Sequence, residues 1–192
     1  MSGHPGRVRI IGGSLRNSRL AVPGLPGLRP TPERVRETLF NWLAPVIAGA
    51  NVLDLCAGTG ALGIEALSRG AAHVRFVEPD ARAADALRAN LVRLRADGGE
   101  VFAGSAQAFL RGTPQAGDIA FLDPPFALGL WGELARALEA GWLATRAWIY
   151  VECPRAAAPV LPANWVPHRE GQAGEVRYAL YRREPAIPTL LS

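Results

Sequence analysis

Not one lysine occurs among the 192 residues, so all 21 basic side chains are arginine. Cysteine is nearly absent as well. Cys56 and Cys153 each sit in an apolar run, which excludes a disulfide framework and fits a reducing compartment. The three histidines, His4, His73 and His168, are isolated, and no Cys/His spacing suits a metal, so none is expected. Long apolar runs are missing. Stretches such as Ala147–Val151 fall far short of the about 20 residues a membrane helix needs. Met1–Ile10 lacks the apolar segment of a signal peptide, which predicts a cytoplasmic protein. What is present is globular: 49% apolar and 20% charged residues, in a length that suits one domain with a short appendage.

The charge is unevenly placed. Residues 1–36 hold seven arginines (Arg7, Arg9, Arg16, Arg19, Arg29, Arg34, Arg36) against one acid, Glu33, a net of +6. The remainder holds fourteen arginines against sixteen acids, so the formal charge of +4 belongs to the N-terminal end. A concentrated positive field gathers a polyanion, and arginine adds a planar fork for phosphate and a face for stacking. The pattern points to nucleic acid.

Residues 1–30 read as a basic arm rich in Gly, Pro and Arg, with a β-hairpin pairing Val8–Ile11 and Arg19–Val22. Thr31-Pro32-Glu33 predicts a helix start, with Thr31 as cap and Pro32 in the first turn. Val35, Leu39, Trp42 and Leu43 mark its inner face, which leaves Arg34 and Arg36 off that face. From Asn51 strands and helices alternate. Strands are predicted over 51–56, 73–78, 100–103, 119–122 and 147–152, with helices over 61–69, 80–95, 105–111 and 130–140. Apolar strands separated by helices imply a parallel sheet covered on both faces. Two last strands, 165–169 and 175–182, are separated by Gly171–Gly174 and must be antiparallel. The expectation is an α/β domain over residues 31–184, five parallel strands closed by a C-terminal hairpin, with a tail over 185–192.

The first of these strands runs into Asp54-Leu55-Cys56-Ala57-Gly58-Thr59-Gly60-Ala61-Leu62-Gly63. Strand, glycine turn and helix in that order make a nucleotide-type cofactor loop, and G-x-G-x-x-G also fits a dehydrogenase. Asp54 argues against a pyrophosphate, because a carboxylate beside the helix N-terminus repels phosphate. It suits a cation instead, and S-adenosylmethionine carries an ammonium and a sulfonium but no phosphate. Glu78 ends the second strand, where it can accept from ribose hydroxyls, with Pro79 after it.

Asp123-Pro124-Pro125-Phe126 follows the fourth strand, at the carboxyl edge where open α/β sheets bind ligands. Two prolines remove two donors and stiffen the turn. The Asp123 carboxylate and the Pro124 carbonyl are then acceptors for the two hydrogens of a planar, weakly nucleophilic amine. Phe126 would stack on the base that carries it.

Together these residues resemble the class I methyltransferases that modify exocyclic amines. With Arg9–Gly13, Leu28–Thr31, Arg34–Leu43, Gly63–Arg69 and Ala147–Glu152, the chain resembles the bacterial RsmD family over roughly residues 7–184. The resemblance implies a Rossmann-like, seven-stranded, mostly parallel sheet of order 3-2-1-4-5-7-6. It implies a guanine-N2 methyltransferase acting on 16S ribosomal RNA, within a small subunit or an assembly intermediate. S-adenosylmethionine would be surrounded by Asp54, Gly58, Gly60, Glu78, Pro79, Ser105 and Ala106, with Thr31 and Arg34 closing over its methionine end. Arg16, Arg19, Arg29, Arg34 and Arg36 would form the RNA surface. Methylation of a DNA adenine or a protein glutamine, and a catalytically silent RNA-binding assembly factor, are the alternatives. The missing target-reading domain opposes DNA, the basic arm opposes a protein substrate, and Asp123 opposes the silent binder.

Overall fold

A computed structural model describes residues 6–185. Met1–Pro5, and all but the first residue of the 185–192 tail, lie outside the described residues. The arm forms the expected hairpin, β1 (Gly6–Arg9) with β2 (Arg19–Val22), in antiparallel register. Then follow α1 (Glu33–Leu43), β3 (Asn51–Asp54), α2 (Ala61–Ser68), β4 (His73–Glu78), α3 (Ala81–Leu94), β5 (Gly99–Ala103), α4 (Ala106–Leu110), β6 (Gly117–Leu122), α5 (Trp131–Leu138), β7 (Leu143–Pro154), β8 (Trp165–Ala173) and β9 (Val176–Arg183).

The main sheet has the order β5-β4-β3-β6-β7-β9-β8. Its first five strands are parallel, and β9 runs antiparallel to both neighbours. Counted from Asn51, this is the expected order 3-2-1-4-5-7-6. Two boundaries move. β7 extends before and after 147–152, because β6 pairs its first residue, Leu143, with Gly117 and the β9 ladder continues to Pro154. The last hairpin turns at Gly174-Glu175, with Ala173 facing Val176, so Gly171–Ala173 are ladder residues and not loop.

Alternation along each strand divides the core in two. Val52, Val74, Ile119, Phe121 and Tyr150 face α1, α2, α3 and the hairpin. Leu53, Val77, Ala120, Leu122 and Ile149 face α4 and α5. The hairpin is therefore part of the main core, through buried Val8, Ile10, Leu20 and Val22. Polar contacts fasten it further. Asn90 on α3 accepts from Ala21 N at 3.2 Å and donates to Ala21 O at 3.0 Å. Glu65 on α2 is fully buried and takes four donors: Ile11 N at 2.9 Å, Gly12 N at 2.8 Å, Arg69 Nε at 2.9 Å and an Arg36 guanidinium nitrogen at 3.5 Å.

Candidate active site

β3 delivers Asp54 to the carboxyl edge of the sheet. The chain then turns through Gly58 and Gly60 into α2. Gly60 has φ +79°, and a Cβ there would lie 2.2 Å from Leu87 Cδ1, so only glycine fits. Gly63 lets the helix lie on β4, since its Cβ would strike the Phe76 ring at 2.1 Å. Asp54 is buried and accepts from Gly63 N at 3.1 Å. Burial, helped by the charge of Glu78 and opposed by the Gly63 bond, pushes its carboxyl up to about 7. On β4, Glu78 clamps the loop by accepting from Gly58 N at 2.8 Å and from Asp80 N at 3.0 Å. Burial raises its carboxyl, while those two backbone bonds oppose the shift.

β6 ends at Leu122 and presents Asp123, with Pro124 buried and Pro125 and Phe126 exposed. Phe126 is 40% exposed and leans on Trp131 at 5.9 Å between ring centroids, leaving ring surface free for stacking. The Pro124 carbonyl makes no hydrogen bond to the described residues, as an acceptor reserved for a ligand would. Asp123's carboxyl is raised well above its ordinary value, first by burial, then by the charges of Glu152 and Asp54. Burial also pushes up the neighbouring Cys56 thiol, which removes it as a nucleophile.

Glu152 is a site residue the sequence reading missed, having placed it only in a strand. It lies near the end of β7, 7% exposed, and accepts from Tyr150 Oη at 2.9 Å and Thr31 Oγ1 at 3.5 Å. Thr31 is thus not the cap of α1. Pro32 holds that position, with no side-chain cap bond, and Thr31 is drawn 121 residues along the chain to Glu152. Arg29, Pro30 and Thr31 form one wall of a cavity whose other wall includes Asp54, Gly58 and Asp123. Its volume is about 40 Å³, near one water and far below the several hundred a nucleoside needs. The Arg29–Thr31 segment therefore borders the site at its narrowest part.

Four carboxyls, those of Asp54, Glu78, Asp123 and Glu152, thus converge at the strand ends. All four are raised by burial, and none has an ion-pair partner among the described residues. They form no metal-holding group there either. Buried acids without cations fit a ligand that brings positive charge and hydrogen-bond donors. S-adenosylmethionine meets both conditions. Gly104 N donates to Glu78 O at 3.0 Å, which brings Ser105 and Ala106 to the same edge. Ser105 caps α4, its Oγ accepting from Ala108 N at 3.1 Å, so its hydroxyl hydrogen and one lone pair remain to offer an adenine. Pro79 is exposed beside Glu78. Arg34 is exposed on α1 and does not line the cavity.

Arg36 is corrected. It is 1% exposed and holds Thr31 O at 3.0 Å, Arg9 O at 3.0 Å and Glu65, so it cannot touch RNA. With Leu39, Phe40 and Leu43 it completes the i, i+3, i+4, i+7 stripe that α1 buries. Arg16, Arg19 and Arg29 are exposed as expected. Arg9 is engaged by Glu33 at 2.8 Å.

The sheet order, the antiparallel seventh strand and the glycine loop after the first parallel strand define the class I, Rossmann-like methyltransferase fold. The chain belongs to the RsmD family: the family model described as "Conserved hypothetical protein 95" matches residues 8–182. It is 52% identical over 183 residues to "Ribosomal RNA small subunit methyltransferase D" of Escherichia coli K12, covering 93% of this chain and 91% of that one. The Haemophilus influenzae protein of that name is 44% identical, with 92% and 94% covered. The solved Escherichia coli protein yhhF superposes with a TM-score of 0.86 at 50% identity, covering 94% of this chain and 99% of that one. An RNA methyltransferase of Salinibacter ruber, solved with S-adenosyl-L-homocysteine, shares the fold at 19% identity and a TM-score of 0.64, with 85% and 99% covered.

Proposed function

We propose that this protein transfers the methyl group of S-adenosylmethionine to the exocyclic N2 amine of a guanine in 16S ribosomal RNA. The substrate is a small ribosomal subunit or an assembly intermediate, in the cytoplasm. The observation that carries the reading is the set of three buried carboxyls and the half-buried Asp123, without ion-pair partners among the described residues, around an acceptor Asp-Pro-Pro-Phe turn. The relatives named for small-subunit ribosomal RNA give the RNA class. No helix of the described residues is long and apolar enough to cross a membrane.

When bound, S-adenosylmethionine supplies an electrophilic methyl carbon on a cationic sulfur. Asp54 would hold its positive end, Glu78 its ribose hydroxyls, and Ser105 and Ala106 its adenine, with Thr31 and its neighbours beside it. Asp123 and the Pro124 carbonyl hold the two hydrogens of the acceptor amine and turn its lone pair toward the methyl carbon. The amine must then shed one proton, and the Asp123 carboxylate stands where it can take it. Phe126 stacks on the extruded base. Incubation of unmethylated small-subunit particles with methyl-labelled S-adenosylmethionine should yield labelled N2-methylguanosine in 16S RNA. Label found only in DNA or protein, or none in RNA, would overturn the proposal.

Two further outcomes follow from the site. A cation prefers the ionised form of Asp54, so S-adenosylmethionine affinity should rise with pH and level off above about 7. Asp54→Asn should flatten that profile. The same raised carboxyl costs stability as pH climbs from its ordinary value toward about 7, because the folded state there holds a proton the unfolded chain has lost. Asp54→Asn should therefore melt higher than wild type at neutral pH, and calorimetry at several pH values reads both effects. On the arm, replacing Arg16 and Arg19 with alanine should weaken RNA binding. It should flatten the slope of log affinity against log salt by about 0.7–0.9 for each lost phosphate contact. Cofactor affinity should be unchanged. An unaltered salt slope would place RNA recognition elsewhere.

A further inference from the structure

We infer that Glu152 is the residue that distinguishes guanine from adenine, its free oxygen accepting the N1–H of the target base while Asp123 and Pro124 hold the N2 amine. This rests on the proposed methylation of a guanine N2 and extends it to how the ring is read.

The placement is fixed by register. Leu122 pairs with Val151 in parallel strands, so Asp123 and Glu152 are the next residues on neighbouring strands, about 4.8 Å apart. Alternation puts both on the face that carries Phe121 and Tyr150. Glu152 is 7% exposed, yet only one of its oxygens is used, by Tyr150 Oη and Thr31 Oγ1. The other makes no hydrogen bond among the described residues, but no sealed side-chain oxygen there lacks a partner. The free oxygen therefore keeps some exposure, on a side chain that register places beside Asp123. An acceptor oxygen with no protein partner, on the strand next to Asp123, is free to accept from a ligand. Anchoring Tyr150 and Thr31 needs a single acceptor, which a glutamine would provide equally well.

The ligand chemistry matches that vacancy. Guanine presents three hydrogens in a row, one on N1 and two on N2, and the site presents three acceptors: Glu152, Asp123 and the Pro124 carbonyl. Adenine has an amine beside a bare N1, whose lone pair would face the Glu152 carboxylate. A site built to accept an N–H rejects a base that lacks it far more strongly than an apolar pocket rejects a shape.

The test replaces the target guanine in reconstituted small-subunit particles by 2,6-diaminopurine, which keeps the N2 amine but has a bare N1. Wild type should methylate it at least about a hundredfold more slowly than guanine. Glu152→Gln should lose at least about tenfold on guanine, and its amide N–H should narrow the guanine preference to within about tenfold. S-adenosylmethionine affinity should hold. Equal wild-type rates on the two bases would overturn the inference without any variant, so a misfolded Glu152→Gln does not shield it. So would a Glu152→Gln that slows both bases in the same proportion, or neither. Guanine-N2 labelling combined with equal rates removes only this inference. Label at another atom removes the proposed function and this inference with it.

Discussion

Asp123→Ala should lower the turnover number by about a hundred- to a thousandfold, the usual cost of losing one preorganised partner of a transition state. Cofactor affinity should stay close to wild type, because the carboxylate serves the acceptor amine. The loss has two parts. The amine lone pair is delocalised into the base, and attack requires the nitrogen to become pyramidal. An acceptor fixed at the end of β6 favours that geometry without having to be reorganised. The new N–C bond then makes the nitrogen acidic, and Asp123 receives its proton. Burial and the facing charge of Glu152 raise the Asp123 carboxyl, so its accepting form is lost as pH falls and the wild-type rate should fall with it. Asp123→Asn keeps one acceptor oxygen but cannot take the proton, so it should retain more activity than alanine and show a flatter pH profile. Single-turnover rates alongside calorimetric cofactor binding check both. An Asp123→Ala enzyme with near-normal turnover would show that the turn only shapes the loop.

Glu65→Ala should destabilise the fold by about 3–5 kcal/mol, the range for breaking a buried ion pair from one side. That corresponds to a melting temperature lower by roughly 6–20 °C for a domain of this size. Glu65 takes two backbone donors of the arm and two arginine side chains, and it is fully buried. Its removal strands the Arg36 guanidinium, itself 1% exposed, without its counter-charge. A double variant with Arg36→Met should recover part of the loss, because the orphaned charge is gone. The arm should loosen as well, since Ile11 and Gly12 lose their acceptor on α2 and only the Ser68 bonds to Gly12, Ser14 and Leu15 remain there, and RNA affinity should fall in a protein that still binds cofactor. A loss below about 1 kcal/mol would mean that water replaces the carboxylate and that the arm is held by its apolar contacts and its bonds to Asn90 and Ser68.

The sequence by itself determined whatever is local or periodic. The change from strand to helix period, the glycine loop, and the Asp123–Phe126 turn after a strand all follow from neighbouring residues. Chain connectivity then brings those turns to one edge of a parallel sheet. The arm's hairpin was legible for the same reason, since its strands are only nine residues apart. Arg36 left a trace that went unread: with Leu39, Phe40 and Leu43 it makes a full helical stripe. A charge in that stripe is credible only once a buried partner is known. That partner is Glu65, on another helix. Only the tertiary structure decided this pairing, the diversion of Thr31 from helix cap to Glu152, and the place of Glu152 beside Asp123. These contacts join residues 29 to 121 positions apart. No periodicity reports such pairs, because they form where a packed core leaves buried polar groups that must find partners.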